Sequence, residues 1–149
     1  MRRPYLYLVM TFVLTCSTVH ASKIDSLERF VLKAKGTEKI DAILKLGGEY
    51  QYTDYVKSLK YAEDALFLSK KMDYKLGVAK AKNNIGYSLT DLGKYSEAVK
   101  NYEESILLFM QLGEKNDVAI AYNDLGYIYQ VQGLIPVSYT HLTLPTKVT

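Results

Sequence analysis

Two stretches of the chain, VAKAKNNIGY at residues 78–87 and VAIAYNDLGY at residues 118–127, repeat one pattern forty residues apart. The first repeat is one residue out of register, because the Leu-Gly pair at residues 46–47 matches the Ile-Gly pair at residues 85–86 at an offset of 39. A fixed period of this size is typical of stacked repeat arrays, in which each unit buries its apolar face against its neighbours. The pattern therefore predicts a repeat protein.

Apolar residues within each repeat have the spacing of one helix face. In the second repeat the face of the first helix, helix A, comprises Ala81, Ile85, Leu89 and Leu92. The second helix, helix B, carries Ala98, Val99, Tyr102, Ile106, Leu107 and Phe109. Helix A of the third repeat has Ala121, Leu125, Ile128 and Tyr129. Gly93 and Gly113 are placed to end helices, and residues 22–135 contain no proline to break one. We therefore predict an all-α fold, an α-solenoid of antiparallel helix pairs.

Capping signals place the earlier helices. Thr37 is predicted to cap a helix that runs to Tyr50, and Asp54 is predicted to start one that runs to Met72. A separate helix up to Gly36 is expected to cover the N-terminal end of the array. Its apolar residues are Ile24, Leu27, Phe30, Val31 and Ala34.

We divide the chain into four parts on these signals. They are a signal peptide at residues 1–21, a capping helix at 22–36, the repeat array of about two and a half repeats at 37–135, and a tail at 136–149.

Charge and composition exclude several classes of function. The chain has 149 residues and a net charge of +3, but removing Arg2, Arg3 and Lys147 from its 19 basic residues leaves sixteen, equal to its sixteen acidic residues. A neutral body lacks the basic surface that nucleic-acid binding needs. Both histidines and the one cysteine lie in the end segments, so the body offers no imidazole base, thiolate or His/Cys zinc site. We predict no catalytic residues, no cofactor, no metal and no evident small-molecule substrate.

The N-terminal segment has the layout of a signal peptide. Arg2 and Arg3 precede an apolar stretch at residues 5–16, which is shorter than the roughly 20 residues needed to span a bilayer. Small residues at the cleavage positions favour processing after Ala21, so we expect an exported, periplasmic or outer-face membrane-associated protein. The alternative is lipidation at Cys16, which ends a sequence similar to a lipobox.

The C-terminal segment resembles translated adapter DNA. Residues 137–146, VSYTHLTLPT, can be back-translated into a transposon adapter used in sequencing libraries, and both flanking codons are compatible with it. We interpret residues 136–149 as a non-native tail that interrupts the natural gene near Ile135. A natural β-prone tail is the alternative.

The repeats resemble the tetratricopeptide repeat family over residues 37–135. That family has small residues where its two helices cross and a large aromatic residue after the turn. The matching small residues are Gly47, Ser58, Gly86, Ala98 and Gly126, and the aromatic ones are Tyr55 and Tyr95. The chain departs from the family in its period, since about 34 residues is usual, and in lacking tryptophan and the proline between repeats. These features are similar to a variant found in exported sensory regions of bacterial signalling proteins.

The resemblance implies that helix A of each repeat lines a concave groove that binds a protein or peptide. The groove residues are then Lys80, Asn83, Asn84, Tyr87, Asp91, Asn123, Asp124, Tyr127 and Gln130. We expect Asn83 to form a ladder with Asn123, and Tyr87 to form one with Tyr127. The alternative is that the asparagines only join neighbouring helices. Lys80 is the one positive charge among these residues, which disfavours recognition of a C-terminal carboxylate.

By the same resemblance, we expect the periplasmic sensory part of a longer membrane signalling protein, similar to sensor histidine kinases. A free-standing periplasmic or lipid-anchored scaffold is the alternative, and an enzyme with a downstream catalytic domain is a third. We also expect the fragment to self-associate through residues 117–135, where an apolar helix face lacks its helix B partner.

Overall fold

The computed structural model describes residues 23–133, which form six helices and no strand. Helix α1 covers residues 23–33. The others are α2 (Gly36–Tyr50), α3 (Tyr55–Lys71), α4 (Lys75–Asp91), α5 (Tyr95–Leu112) and α6 (Lys115–Val131). The all-α prediction is confirmed. The predicted signal peptide and the predicted adapter-derived tail lie outside the described residues. No helix between residues 23 and 133 combines the length and the apolar character needed to cross a bilayer.

Helix ends follow the capping signals with one exception. The Asp54 side chain accepts a hydrogen bond from the backbone N–H of Lys57 at 3.0 Å and so caps α3. Gly113, with φ of +77°, ends α5 in the left-handed conformation that glycine adopts without steric cost. The prediction for Thr37 was wrong: α2 already begins at Gly36, so Thr37 lies inside the helix, and no side chain caps this end.

Successive helices pack as antiparallel pairs that form a curved array. α2 packs on α3 and α4 on α5, and α6 then packs on α5. The first helices of the repeats also contact one another, α2 with α4 and α4 with α6, whereas α3 and α5 do not. Because α2, α4 and α6 approach more closely than the helices behind them, they form the inner face of the curve.

Two buried clusters hold this array together. One comprises Ile40, Ile43, Leu44, Ala65 and Ala81, and Val31 of α1 packs against it. The other comprises Ala62, Ile85, Leu89, Ala98, Tyr102, Ile106, Ala121, Leu125 and Ile128. Each cluster draws residues from at least three helices, so both repeats and α6 share one continuous interior.

Small residues permit the close helix contacts, but in two different ways. A Cβ at Gly47 would lie 3.1 Å from the Cβ of Tyr61 and 3.5 Å from the carbonyl oxygen of Ser58, so here the helices approach closely, as predicted. A Cβ at Gly86 would instead lie 3.0 Å from the ring of Tyr102. The glycine of the second repeat therefore makes room for a buried aromatic ring.

Four apolar residues that were predicted to pack inside are exposed, and one of them is Phe30 of α1, at 51%. Leu92 follows the last residue of α4 and is 38% exposed, because the chain there has left the helix face. Leu107 is 60% exposed, since one residue after the buried Ile106 the side chain points to the outer side of α5. Tyr55, the first residue of α3, is 40% exposed, whereas Tyr95 of α5 packs against the second cluster as expected.

Polar contacts, one of them buried, join α4 to both helices that flank it. The hydroxyls of Ser58 in α3 and Ser88 in α4 are hydrogen bonded at 3.0 Å, and the Ser88 hydroxyl is also 3.1 Å from the carbonyl oxygen of Asn84. On the other side, Lys82 forms an ion pair with Glu104 of α5. The hydrogen bond from Lys82 lowers the pKa of the Glu104 carboxyl. These contacts fix the angle at which α4 sits between α3 and α5.

Candidate functional site

The inner face of the array carries a cavity of about 620 Å³. Residues of α2 and the turn that follows contribute Asp41, Leu44, Lys45, Gly48, Gln51 and Tyr52. Helix α4 contributes Lys80, Asn83, Asn84 and Tyr87, and α6 contributes Asp117, Ile120 and Asp124. We call this the larger cavity. It mixes charged, amide, aromatic and aliphatic side chains along three adjacent helices.

A second cavity of about 260 Å³ lies beside it, between the C-terminal half of α4, α5 and α6. We call this the smaller cavity. Its lining comprises Tyr87, Thr90, Asp91, Tyr102, Asn123, Asp124 and Tyr127. Tyr87 and Asp124 line both cavities, so the two are neighbouring parts of one concave surface.

The structure brings almost all the predicted groove residues together. Lys80 and Asn84 lie in the larger cavity, Asp91 and Tyr127 in the smaller one, and each of the others except Gln130 lines at least one of them. Gln130 is exposed on α6 and lines neither cavity. Their roles in binding remain predictions.

The asparagines do not form the expected ladder. Asn84 donates from Nδ2 to the carbonyl oxygen of Leu44 in α2 at 3.5 Å, which joins two neighbouring first helices. Asn83 bonds to the carboxylate of Asp124 in α6, while Asn123 is exposed. The Oδ1 atom of Asn83 is buried and has no hydrogen-bond partner among residues 23–133. Both α4 asparagines therefore contact a neighbouring first helix, which the alternative interpretation expected of Asn83, whereas no such contact of Asn123 is found within residues 23–133.

The carboxylates of the inner face are poorly compensated. Burial raises the pKa of Asp124 to about 6, and the hydrogen bond from Asn83 offsets only part of this rise. Partial desolvation also raises the pKa of Asp91, although this residue is exposed at the edge of the cavity. Neither residue belongs to an ion pair in the part of the chain that the structure describes. Among residues 23–133, no ion pair therefore neutralises either of these two carboxylates.

Tyrosine rings connect the two cavities. Tyr87 meets Tyr52 of the first repeat edge to face with ring centroids 6.3 Å apart, and it lines the smaller cavity together with Tyr127. Burial, and then the charge of Asp91, raise the pKa of Tyr87 to about 12. Tyr102 is 1% exposed, and burial raises its pKa strongly. Tyr87 and Tyr102 are therefore neutral hydrogen-bonding groups at physiological pH.

Sequence reasoning missed the part of the site that α2 provides. At the offset of 39 that relates the first repeat to the second, Lys80 corresponds to Asp41, Asn83 to Leu44 and Asn84 to Lys45. The one-residue slip was visible in the sequence, and applying it would have found these positions. The prediction of Lys80 as the single positive charge was accordingly wrong, because Lys45 also lines the larger cavity.

The charges of the larger cavity nevertheless sum to a negative value. Lys45 and Lys80 face Asp41, Asp117 and Asp124. Within residues 23–133 no group of His, Cys, Asp and Glu side chains is arranged to hold a metal ion. The arrangement offers hydrogen bonds, flat aromatic surface and carboxylates, which are groups that bind polypeptides.

Comparison with known proteins identifies the repeats. No curated protein matches the chain significantly. A family model described as tetratricopeptide repeat matches residues 77–134, a range that covers nearly all of α4, the whole of α5 and the whole of α6. This family is generally a non-catalytic scaffold for interactions with other proteins. With the helical pairs and their spacing already established, the match identifies residues 77–134 as tetratricopeptide repeats, which generally serve as protein-interaction modules.

Proposed function

We propose that the larger cavity binds an extended or helical segment of a partner protein. The observation that carries this proposal is the continuous inner surface formed by α2, α4 and α6, which holds a cavity of about 620 Å³. A small compact ligand would need an enclosed site, whereas three parallel rows of side chains suit a segment that runs across them.

The exposed apolar residues of the cavity are its expected anchors. Tyr52 is 76% exposed and Ile120 is 56% exposed, and both line the cavity from opposite sides of α4. Interface energy is usually concentrated in a few such apolar and aromatic side chains, while the surrounding polar groups set register. Because three carboxylates outnumber two lysines here, we infer a partner segment that is not acidic and that is not held by its C-terminal carboxylate.

Peptides selected against the purified protein from an unbiased display library test this function. We expect replacement of Tyr52 and Ile120 by alanine to weaken the best peptide about tenfold or more, a loss of at least about 1.4 kcal/mol. Phe67→Ala with Leu107→Ala is the matched control, because these residues are 68% and 60% exposed on α3 and α5. Equal weakening by both double variants, or no weakening by the first, would argue against the groove.

We further propose that the module is exported and serves as the periplasmic sensory part of a membrane signalling protein, without catalytic activity of its own. The leader-like residues 1–21 and the resemblance of the long repeat to exported sensory regions support this. Free-standing and lipid-anchored scaffolds are the alternatives. Intact mass of the exported protein tests the location: a mature chain that begins at Ser22 supports simple export, and a diacylated Cys16 supports the lipid-anchored form.

The gene beyond the codon for Ile135 distinguishes a sensor from a scaffold. Further repeats followed by about 20 consecutive apolar residues would support the membrane sensor. Further repeats that end without such a segment would support the scaffold, and recovery of VSYTHLTLPT from genomic DNA would contradict an adapter origin of the tail.

Self-association through residues 117–135 is also proposed. Three apolar side chains of α6, Ile120, Tyr127 and Val131, are between 47% and 56% exposed. Sedimentation of the purified protein over a range of concentrations tests this proposal. A mass that stays monomeric up to high concentration would contradict it.

A further inference from the structure

We propose that the smaller cavity binds one basic side chain, lysine or arginine, of the partner polypeptide. This inference rests on the proposed function, since it assigns a chemical preference to one part of the same concave surface. It concerns a different set of side chains from the apolar anchors of the larger cavity, so the two can be tested separately.

The cavity is lined by three tyrosines and two aspartates, which are the side chains that an organic cation contacts in proteins. The ring of Tyr102 is buried and lies at the back, while Tyr87 is half-buried and Tyr127 is 56% exposed at the sides. Asp91 and Asp124 come from α4 and α6, respectively. A cation placed between aromatic faces is attracted by the negative face of each ring, and this attraction increases when water is displaced.

No cation from residues 23–133 occupies this role. None of the residues that line the cavity is basic, as far as residues 23–133 are concerned. Lys80, a basic residue of α4, lines the larger cavity and not the smaller one. Asp91 and Asp124 also form no ion pair in that part of the chain. Asp91 and Asp124 thus share the smaller cavity with three tyrosines and with no basic side chain from residues 23–133.

The electrostatics of the surrounding groups agree with an unfilled cation site. Burial raises the pKa values of Tyr87 and Tyr102, and the charges of Asp91 and Asp124 raise both further, so the two carboxylates act on the same small region. Burial raises the pKa of Asp124 to about 6 because its charge is partly desolvated. A bound cation would stabilise that charge, so binding and ionisation of Asp124 should reinforce each other.

The cavity suits a side chain rather than a larger group. Its volume of about 260 Å³ accommodates one long side chain, and its continuity with the larger cavity through Tyr87 lets the backbone of the same segment run along the groove. The aliphatic stem of lysine or arginine would contact the rings while its charged end reaches the carboxylates.

NMR titration of the purified protein with N-acetyl-arginine methylamide tests the proposal, with N-acetyl-citrulline methylamide as a neutral probe of nearly the same shape. We expect the arginine probe to shift the resonances of Tyr87, Asn123 and Tyr127 and to bind about tenfold more tightly than the citrulline probe. Saturation with the arginine probe should also lower the pKa of Asp124, followed through its side-chain carbon resonance.

Charge-matched variants separate a specific site from general attraction. Asp91→Asn with Asp124→Asn should weaken the arginine probe about tenfold and leave the citrulline probe nearly unchanged. Glu63→Gln with Asp64→Asn removes the same charge from exposed positions of α3 and should change binding less than about twofold. Circular dichroism spectra of both double variants should match that of the parent protein.

Three results would overturn the proposal. They are equal binding of the two probes, equal weakening by the two double variants, and the absence of shifts around the smaller cavity at saturating probe. None of these would affect the proposed function, because peptides held by Tyr52 and Ile120 in the larger cavity would still bind. Conversely, the arginine probe could bind although none of the selected peptides binds in the larger cavity. That result would contradict the proposed function and support only the cation site.

Discussion

Core packing accounts for the glycine at position 86. It lies in the middle of α4, where glycine costs about 1 kcal/mol relative to alanine. The structure explains why this cost is tolerated, since a Cβ here would lie 3.0–3.1 Å from three atoms of the Tyr102 ring. Tyr102 is 1% exposed and cannot move aside without disturbing its cluster.

Replacement of Gly86 by alanine should therefore destabilise the protein by about 1 kcal/mol, because overpacking of a rigid core outweighs the gain in helix propensity. Gly48→Ala is the matched control. It lies near the end of α2, and a Cβ added there would meet nothing within 4 Å, so this variant should be neutral or stabilising by about a few tenths of a kcal/mol. Urea denaturation of both variants measures the difference, and a stabilised Gly86→Ala protein would show that the ring can move.

The stability of the folded protein should depend on pH through the carboxyl group of Asp124. Its pKa is raised from 3.8 to about 6, so the folded state holds the proton more tightly than the unfolded state does. Stability should therefore fall as pH rises from about 4 to about 6. Asp124→Asn should stabilise the protein at pH 7 by roughly 1 kcal/mol, a value reduced from the full shift because the carboxylate is partly solvated, and should have little effect at pH 4.

Thermal unfolding of Asp124→Asn and its parent at both pH values measures this effect. Asp64→Asn, which changes an exposed carboxylate on α3, serves as the control and should give the same small change at pH 4 and pH 7. A loss of stability in Asp124→Asn at pH 7 would mean that the charge itself is needed for the fold.

At the scale of elements, α3 and α4 are joined through two buried hydroxyls that differ in their number of hydrogen-bond partners. Ser88 contacts both the Ser58 hydroxyl and the carbonyl oxygen of Asn84, whereas Ser58 has Ser88 as its hydrogen-bond partner. Replacing Ser88 by alanine leaves the Ser58 hydroxyl buried and unpaired, which costs about 1–3 kcal/mol. Replacing Ser58 leaves Ser88 bonded to the backbone.

We therefore expect Ser88→Ala to destabilise the protein by about 1–2 kcal/mol and Ser58→Ala by no more than about 1 kcal/mol. The double variant should cost less than the sum of the two, because removal of both hydroxyls leaves no orphaned group. Denaturation of the three variants gives the coupling energy. Additive losses would show that the two hydroxyls do not interact.

At the scale of the whole molecule, the helices contribute unequally to the interior. α4 has eight buried residues and packs on α3 and α5, whereas α6 has three buried residues and packs mainly on α5. In repeat arrays each unit is stabilised mainly by its neighbours, so an element with fewer buried side chains opens at lower free energy.

Hydrogen exchange should accordingly show the slowest amides in α4 and α5 and faster exchange in α6. Protection factors in α4 and α5 should exceed those in α6 by about tenfold or more. The reason is that burying one apolar side chain fewer lowers the free energy of local opening by at least about 1.5 kcal/mol. Uniform protection across α2 to α6 would indicate a single cooperative unit and contradict this view.

The sequence by itself determined the helix pairs, because a helical period of apolar residues, glycines at helix ends and the absence of proline are local signals. The positions of Asp54, Gly93 and Gly113 at helix ends needed no tertiary information. The forty-residue offset likewise placed the residues of α4 and α6 on a common face, since equivalent helices in a stack present equivalent faces.

Only the tertiary structure decided which of those residues contact one another. Tyr87 packs edge to face against Tyr52 in the turn after α2, a contact that the forty-residue offset does not predict. The uncompensated charge of Asp91 and Asp124 could not be seen in the sequence either. Whether a carboxylate is desolvated, and whether a lysine reaches it, depends on distances between helices that local spacing does not fix.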